Sequence, residues 1–499
     1  MQMLRFAPIF KDHLVLQREK LLHIWGTAPE GSLVTVAIGS VSAAAETVGG
    51  KWKAVLPPLP AGGPYTLTAT DGETELTLSD VMLGEVWLCG GQSNMELVLR
   101  DAARPGELLA GCEKSDVRLY HVGKRAFFDE QFYAEEEAST WQLPMQNTCQ
   151  FWTAIGYLFA QELAKKLGVT VGLVECCCGG TSATAWISEG NLQSTVAGQK
   201  YLADYAKGMA GLTDEEANAA YREYCDYQNA WQERMNAYCL ENPRASWEQA
   251  CAACGENRWP GPHAPINPLR PHGLYDTMLS RITPFTLRGV LYYQGESDDQ
   301  RPDDYETLLT CMIREWRHDF HDPALPFLLV QLPMYAENGT AEFVNWAKIR
   351  LVQERVARAD RHAGLAVIPD CGEFGDIHPK EKRPPAHRLY LQALREVYGL
   401  QEEHTTAPLL RCAIPENDGI RLFFDTSSPL ELHGTEGFEI CGADGNWHPA
   451  APSVNEDTLF LTAPEVPHPV HARYAWYNYG PVTLYAQNGL PASPFNTQY

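Results

Sequence analysis

Two kinds of hydrophobic pattern alternate along this chain. Through residue 80 apolar and polar positions exchange at every second residue. Val34-Thr35-Val36-Ala37-Ile38 and Tyr65-Thr66-Leu67-Thr68-Ala69 have the period of half-buried strands. Ala61-Gly62-Gly63-Pro64 and Asp71-Gly72 punctuate these runs as turns, and Gly49-Gly50 ahead of Trp52 marks a hairpin. Residues 1–80 therefore predict a small β-sandwich. From Val81 the pattern changes. Val86-Trp87-Leu88-Cys89 is a continuous apolar run, and the stretch Asn94–Arg100 predicts the opening of a helix. Residues 152–167 repeat apolar positions near every 3.6 residues and stop at Gly168, and Val169–Val174 is apolar again. Strand, helix and strand recur at Leu287–Tyr293, Asp304–Phe320 and Pro326–Gln331. A further strand at Leu365–Pro369 precedes a helix near Arg388–Tyr398. The succession predicts an α/β domain over residues 81–400, a parallel sheet with helices on both faces.

Within that domain Tyr201–Cys254 has helical spacing and few breakers, a helical insertion over about 190–260. Its aromatics (Tyr201, Tyr205, Tyr221, Tyr224, Tyr227, Trp231) either pack helix on helix or wall a sugar site. Residues 405–499 return to the β pattern, as a module of their own or packed with the N-terminal one.

A length of 499 residues exceeds what a single core usually organises. The 39 basic and 63 acidic residues leave a formal charge of −24, which argues against nucleic acid or an anionic membrane surface as the main partner. No run approaches the ~20 apolar residues of a membrane span. The start, MQMLRFAPIFKDHLVLQ, lacks the charged and apolar regions of a secretory leader. The fourteen cysteines are irregularly spaced, three of them adjacent at Cys176, Cys177 and Cys178. They read as free thiols in a reducing, cytoplasmic setting. Self-association is left open.

Open α/β sheets bind ligands at the carboxyl ends of their strands, and four such ends carry unusual residues. Gly90-Gly91-Gln92-Ser93-Asn94-Met95-Glu96 places a serine in a glycine-rich turn opening a helix, where it serves as a nucleophile or merely as a helix cap. Gly179-Gly180-Thr181, after the cysteine triplet, offers main-chain N–H groups to an oxyanion or is simply a tight turn. Tyr292-Tyr293-Gln294-Gly295-Glu296-Ser297-Asp298 ends an apolar run in a polar cluster; the Gln294 amide is a candidate donor and Glu296 a candidate orienter. Asp376-Ile377-His378-Pro379 supplies a histidine, the natural base near neutral pH, with an aspartate just upstream. Cys251-Ala252-Ala253-Cys254 has no second pair, so neither a metal site nor any cofactor is expected.

Taken in order, these blocks resemble the SGNH-type carbohydrate esterases, and within them the sialate O-acetylesterase-like family of bacterial sugar deacetylases. The stretches that carry the resemblance are FKDHLVLQR at Phe10–Arg18, GEVWLCGGQSNME at Gly84–Glu96, GGTSATAWIS at Gly179–Ser188, GLYDTMLSRITPF at Gly273–Phe285, GVLYYQGESD at Gly289–Asp298 and DIHPKEK at Asp376–Lys382, with RYAWYNYGP and GLPASPF near the end. The resemblance implies an SGNH-like three-layer α/β sandwich with accessory β modules from the two chain ends. It implies that Ser93 is the nucleophile, that His378 is the base, and that the Ser93 amide, the Gly180 amide and the Gln294 side chain hold the oxyanion. Gln92, Asn94 and Glu296 then support the site or bind substrate. Two positions depart from the general pattern. Gly375 stands where an aspartate often precedes the histidine by three residues, so Asp376 or a main-chain carbonyl orients His378, and Gln294 stands where asparagine is expected. The implied reaction is removal of an O-acetyl group from a sugar, a sialic acid or a hemicellulose-derived oligosaccharide, through an acetyl-enzyme. The alternative is a carbohydrate-binding protein whose esterase core is silent.

Overall fold

The computed structural model describes residues 3–242, 245, 247–400 and 405–499. At its centre are β1 (Glu75–Gly91), β2 (Val117–His121), β3 (Val171–Cys177), β4 (Gly289–Tyr293), β5 (Phe327–Val330) and β6 (Ala363–Ala366). They pair in parallel in the order β2-β3-β1-β4-β5-β6, and Trp141–Gln142 adds an antiparallel edge beside β2. Every residue of β3, β4, β5 and β6 is buried, which is why these segments read as unbroken apolar runs rather than alternating ones. The helices form two packed pairs. Ala154–Leu167 packs on Arg383–Glu396, and Pro302–Asp319 packs on Asn345–Ala359. Ala154–Leu167 ends at Gly168, whose φ of 66° gives the left-handed turn that stops a helix. The result is a mixed α/β fold around one large sheet.

β1 is seventeen residues long and belongs to two structures at once. Its first half pairs antiparallel with Gly62–Thr70, and its second half is the middle of the parallel sheet. The boundary expected at residue 80 thus lies inside one strand. The N-terminal strands alternate buried and exposed positions as their pattern predicts. Val34, Val36 and Ile38 on one strand and Trp52, Ala54 and Leu56 on another point inward, and their cluster runs on into the core of the central sheet. The C-terminal strands have a core of their own, built around Ile420, Leu422, Phe438, Leu459, Ala472 and Tyr474. They are tied to the α/β part through the buried Arg350, which donates to the Tyr477 carbonyl, and through Gln331, which donates to Ser493 Oγ at 2.8 Å.

The insertion is helical, with Val196–Met209, Asp214–Glu241 and Trp247–Cys254. The helix expected over 94–100 is shorter than its pattern: it ends at Glu96, and a separate turn follows at Leu99–Asp101. No helix among the described residues is long and apolar enough to cross a membrane.

Candidate active site

The three adjacent strands β3, β1 and β4 end level with one another, with Cys177 and Tyr293 both paired to Gly91. Gly91 has φ of 127°, and a side chain there would put its Cβ 2.1 Å from the Tyr293 carbonyl oxygen. Only glycine permits this approach. It lets the Gln92 N–H donate to that carbonyl at 3.0 Å and turns the chain so that Ser93 begins the helix Ser93–Glu96.

His378 reaches Ser93 from 285 residues away: its Nε2 lies 2.7 Å from Ser93 Oγ. It sits in the loop between β6 and the helix Arg383–Glu396. Asn94, fully buried, fixes that loop, because its Nδ2 donates to the Ile377 carbonyl at 2.9 Å and to Glu296 Oε1 at 2.8 Å. Its Oδ1 accepts from Lys382 Nζ at 2.7 Å. Burial holds the His378 imidazole below its ordinary 6.5; the carboxylates of Asp376 and Glu96 pull the other way, and Lys380 and Lys382 reinforce the lowering. The ring is therefore neutral near pH 7, the form that accepts a proton.

Asp376 does not meet the ring. Its Oδ1 accepts from the main-chain N–H of His378 at 2.8 Å, and among the described residues it makes no hydrogen bond or ion pair with the imidazole. Of the two orienters left open by the sequence, Asp376 does not act by direct contact with the ring. Two residues of separation let an aspartate close a turn on the main chain, and here the carboxylate acts on the ring only through its charge.

Opposite the histidine, Gly179 and Gly180 close the site. A Cβ on Gly179 would stand 3.3 Å from Ser93 Cβ, and the Gly179 N–H donates to Glu96 Oε2 at 2.5 Å. Glu96 also pairs with Lys124. The main-chain N–H groups of Ser93 and Gly180 have no hydrogen-bond partner among the described residues. Two donors are thus left open: the Ser93 N–H, at a helix N-terminus, and the Gly180 N–H, one residue from the glycine that abuts Ser93 Cβ.

Gln294 differs from its expected role. It is fully buried, and its Nε2 donates to Asp298 Oδ2 at 2.6 Å and to the Thr181 carbonyl at 3.1 Å. Both amide hydrogens are engaged, so neither is free for an oxyanion. Asp298, to which the sequence reading gave no role, is the hub. It also accepts from Ser182 Oγ at 2.6 Å, Ala183 N at 2.9 Å and Tyr201 Oη at 3.0 Å. Burial raises the carboxyls of Asp298 and Glu296 despite these donors. Lys382 and Glu96 were likewise not singled out, although both lie in the quoted blocks DIHPKEK and GQSNME.

The three neighbouring thiols are poor nucleophiles. Burial pushes Cys178 up to about 12 and Cys176 and Cys177 higher still. Among the described residues no group of three or more His, Cys, Asp or Glu side chains could hold a metal ion.

A serine within reach of a neutral histidine, beside two open N–H donors, is equipped for acyl transfer. Comparison with known proteins supplies the class. A family model described as carbohydrate esterase, sialic acid-specific acetylesterase, matches residues 83–212 and 250–367. The chain belongs to that family of carbohydrate O-acetylesterases. The matched residues of this acetylesterase include Ser93, Gly180 and Gln294 and stop short of His378; the middle of the helical insertion falls outside them. Similarity extends over the whole length. A mouse protein named sialate O-acetylesterase is 26% identical over 544 residues, covering 99% of this chain and 94% of its own. The human protein of that name is 25% identical, covering 98% and 92%. Among solved structures, a carbohydrate acetylesterase from Xanthomonas citri superimposes with a TM-score of 0.78 at 28% identity over 99% of both chains.

Proposed function

We propose that the acetylesterase works by a serine mechanism. His378 takes the Ser93 proton, and Ser93 Oγ attacks the acetyl carbonyl. The Ser93 and Gly180 N–H groups hold the oxyanion, each donor worth about 3–4 kcal/mol. His378 then returns the proton to the departing sugar hydroxyl, and water attacks the acetyl-enzyme by the same route in reverse. The observation that carries this reading is the 2.7 Å approach of His378 Nε2 to Ser93 Oγ at a helix N-terminus. Asp376 and Glu96 favour the imidazolium formed in the transition state through their charge.

The substrate we infer is an O-acetylated sugar, with acetylated sialic acid ahead of acetylated hemicellulose fragments. The full-length likeness to proteins named for sialate supports that order. So does Lys380, exposed two residues from His378, whose ammonium makes no hydrogen bond or ion pair among the described residues and can meet a carboxylate. The test is acetate release from 9-O-acetyl sialic acid and from acetylated xylobiose by the wild type and by Ser93→Ala. A fall of at least ~10³-fold in the variant is expected. Undiminished turnover by a folded Ser93→Ala protein would remove Ser93 from the mechanism.

A further inference from the structure

One large aromatic side chain of the helical insertion behaves unlike the others near the site. Trp231 and Tyr224 are buried among the insertion's own helices, but Trp259 is 52% exposed. Its ring lies against Gly180: a Cβ built there would fall 2.4 Å from both Cη2 and Cζ2 of the indole. Gly180 is the residue whose N–H faces no protein acceptor, and its neighbour Gly179 abuts Ser93 Cβ. The ring therefore borders the acyl site directly across two glycines.

The ring's position is built rather than incidental. Asn257 Oδ1 accepts from the Trp259 main-chain N–H at 3.1 Å and from Gln228 Nε2 at 3.0 Å, which ties the loop to the helix Asp214–Glu241. Arg258 stacks on the Tyr227 ring at 3.6 Å from its centroid. Leu269 flanks the same spot beside Gly180. The residues on either side of Trp259, Arg258 and Pro260, line a shallow cleft with Glu223 and Tyr224 of the helix Asp214–Glu241.

Sugars present a face of C–H groups that packs on an aromatic ring, with hydroxyls left at the edge for polar partners. Acetyl transfer to Ser93 fixes where the acyl carbon must stand, so the alcohol part of the ester projects away from the nucleophile along the site's wall. Resting on the Ser93 reading above, we propose that Trp259 is the specificity-determining wall of this enzyme, stacking on the sugar ring of the leaving alcohol. The insertion thereby contributes recognition, while β1, β3 and the loop after β6 contribute the chemistry.

The experiment compares two esters that share the acetyl group. One is the better turned over of 9-O-acetyl sialic acid and acetylated xylobiose; the other is ethyl acetate, which has no ring. In Trp259→Ala the kcat/KM for the sugar ester should fall about tenfold or more beyond any fall on ethyl acetate, chiefly through KM. Trp259→Phe, which keeps a face to stack on, should recover most of the difference. Equal losses on both esters would mean that the indole only props Gly180, and no loss on the sugar ester would mean that it touches nothing; either result overturns the proposal. A binding measurement separates this inference from the esterase mechanism. Calorimetry of the sugar ester with Ser93→Ala and with Ser93→Ala/Trp259→Ala should show weaker binding in the double variant even where nothing is hydrolysed. If Ser93→Ala keeps full turnover while Trp259→Ala still loses selectively on the sugar ester, the wall stands and the serine mechanism falls.

Discussion

The two sides of the strand-end rim use the same residue types to opposite ends. On the Ser93 side, a half-buried hydroxyl, a half-buried imidazole and two main-chain N–H groups are left with capacity to spare. On the Gln294 side, the Gln294 amide and the Asp298 carboxylate are buried with their bonding spent on each other and on the segment after β3, and the buried Glu296 carboxylate is taken up by Asn94. Chemistry needs unspent donors and acceptors, whereas holding a loop needs them consumed. Burial divides the two roles, since a polar group shut away from water must find protein partners or cost free energy.

The largest effect that would sharpen this contrast is on the open side. His378→Ala should lower kcat/KM at least ~10³-fold, whereas Asp376→Asn, which keeps an acceptor for the His378 main-chain N–H, should cost less than ~10-fold. Steady-state kinetics on one sugar acetate measure both. An equal loss in the two would restore Asp376 to direct contact with the ring.

On the closed side the expected currency is stability. Asp298→Ala strands Gln294, Ser182 and Tyr201 without their shared acceptor and should lower unfolding free energy by about 3 kcal/mol or more, each stranded donor costing about 1–3 kcal/mol. Gln294→Ala should cost about 1–3 kcal/mol, with kcat in the folded protein falling less than the ~10²–10³-fold that loss of a true oxyanion donor brings. Denaturant melts beside kinetics decide it; a Gln294→Ala protein of native stability and crippled kcat would break the comparison.

Beneath the open side, Glu175 is fully buried and burial raises its carboxyl to about 8. Unfolded, the group gives up its proton near 4.5, so folding takes up a proton between those values and stability falls as pH rises across them. Glu175→Gln should therefore raise the melting temperature more at pH 8 than at pH 5. The smallest effect is in the pH profile. Because burial lowers His378, the acid limb of kcat/KM should have its midpoint below 6.5. Asp376→Asn should move it lower still, since the carboxylate's charge supports the imidazolium.

Much of the scaffold was legible because parallel strands buried on both faces leave unbroken apolar runs, as at Val171–Cys177, and the helix 154–167 announces its end at Gly168. Strand-end placement brought the Ser93 and His378 blocks to one rim, but their pairing as nucleophile and base followed from the resemblance, since no local pattern links residues 285 apart. What each polar side chain does was hidden further still. Gln294 looks available to an oxyanion in sequence, and only its depth and partners show it to be consumed by Asp298. Asp376 failed as a direct orienter because two-residue spacing favours a turn around the main chain. Lys382, whose ammonium burial lowers to about 8, reads in sequence as one more surface lysine and is in fact the buried partner of Asn94.

The most direct test is to catch the acyl group. The enzyme mixed with an aryl acetate, quenched in acid within one turnover and digested should carry one acetyl on the peptide containing Ser93, and the Ser93→Ala protein should carry none there. Acetyl on Cys178 instead, or rapid acetate release with no acetylated peptide at any quench time, would contradict the account.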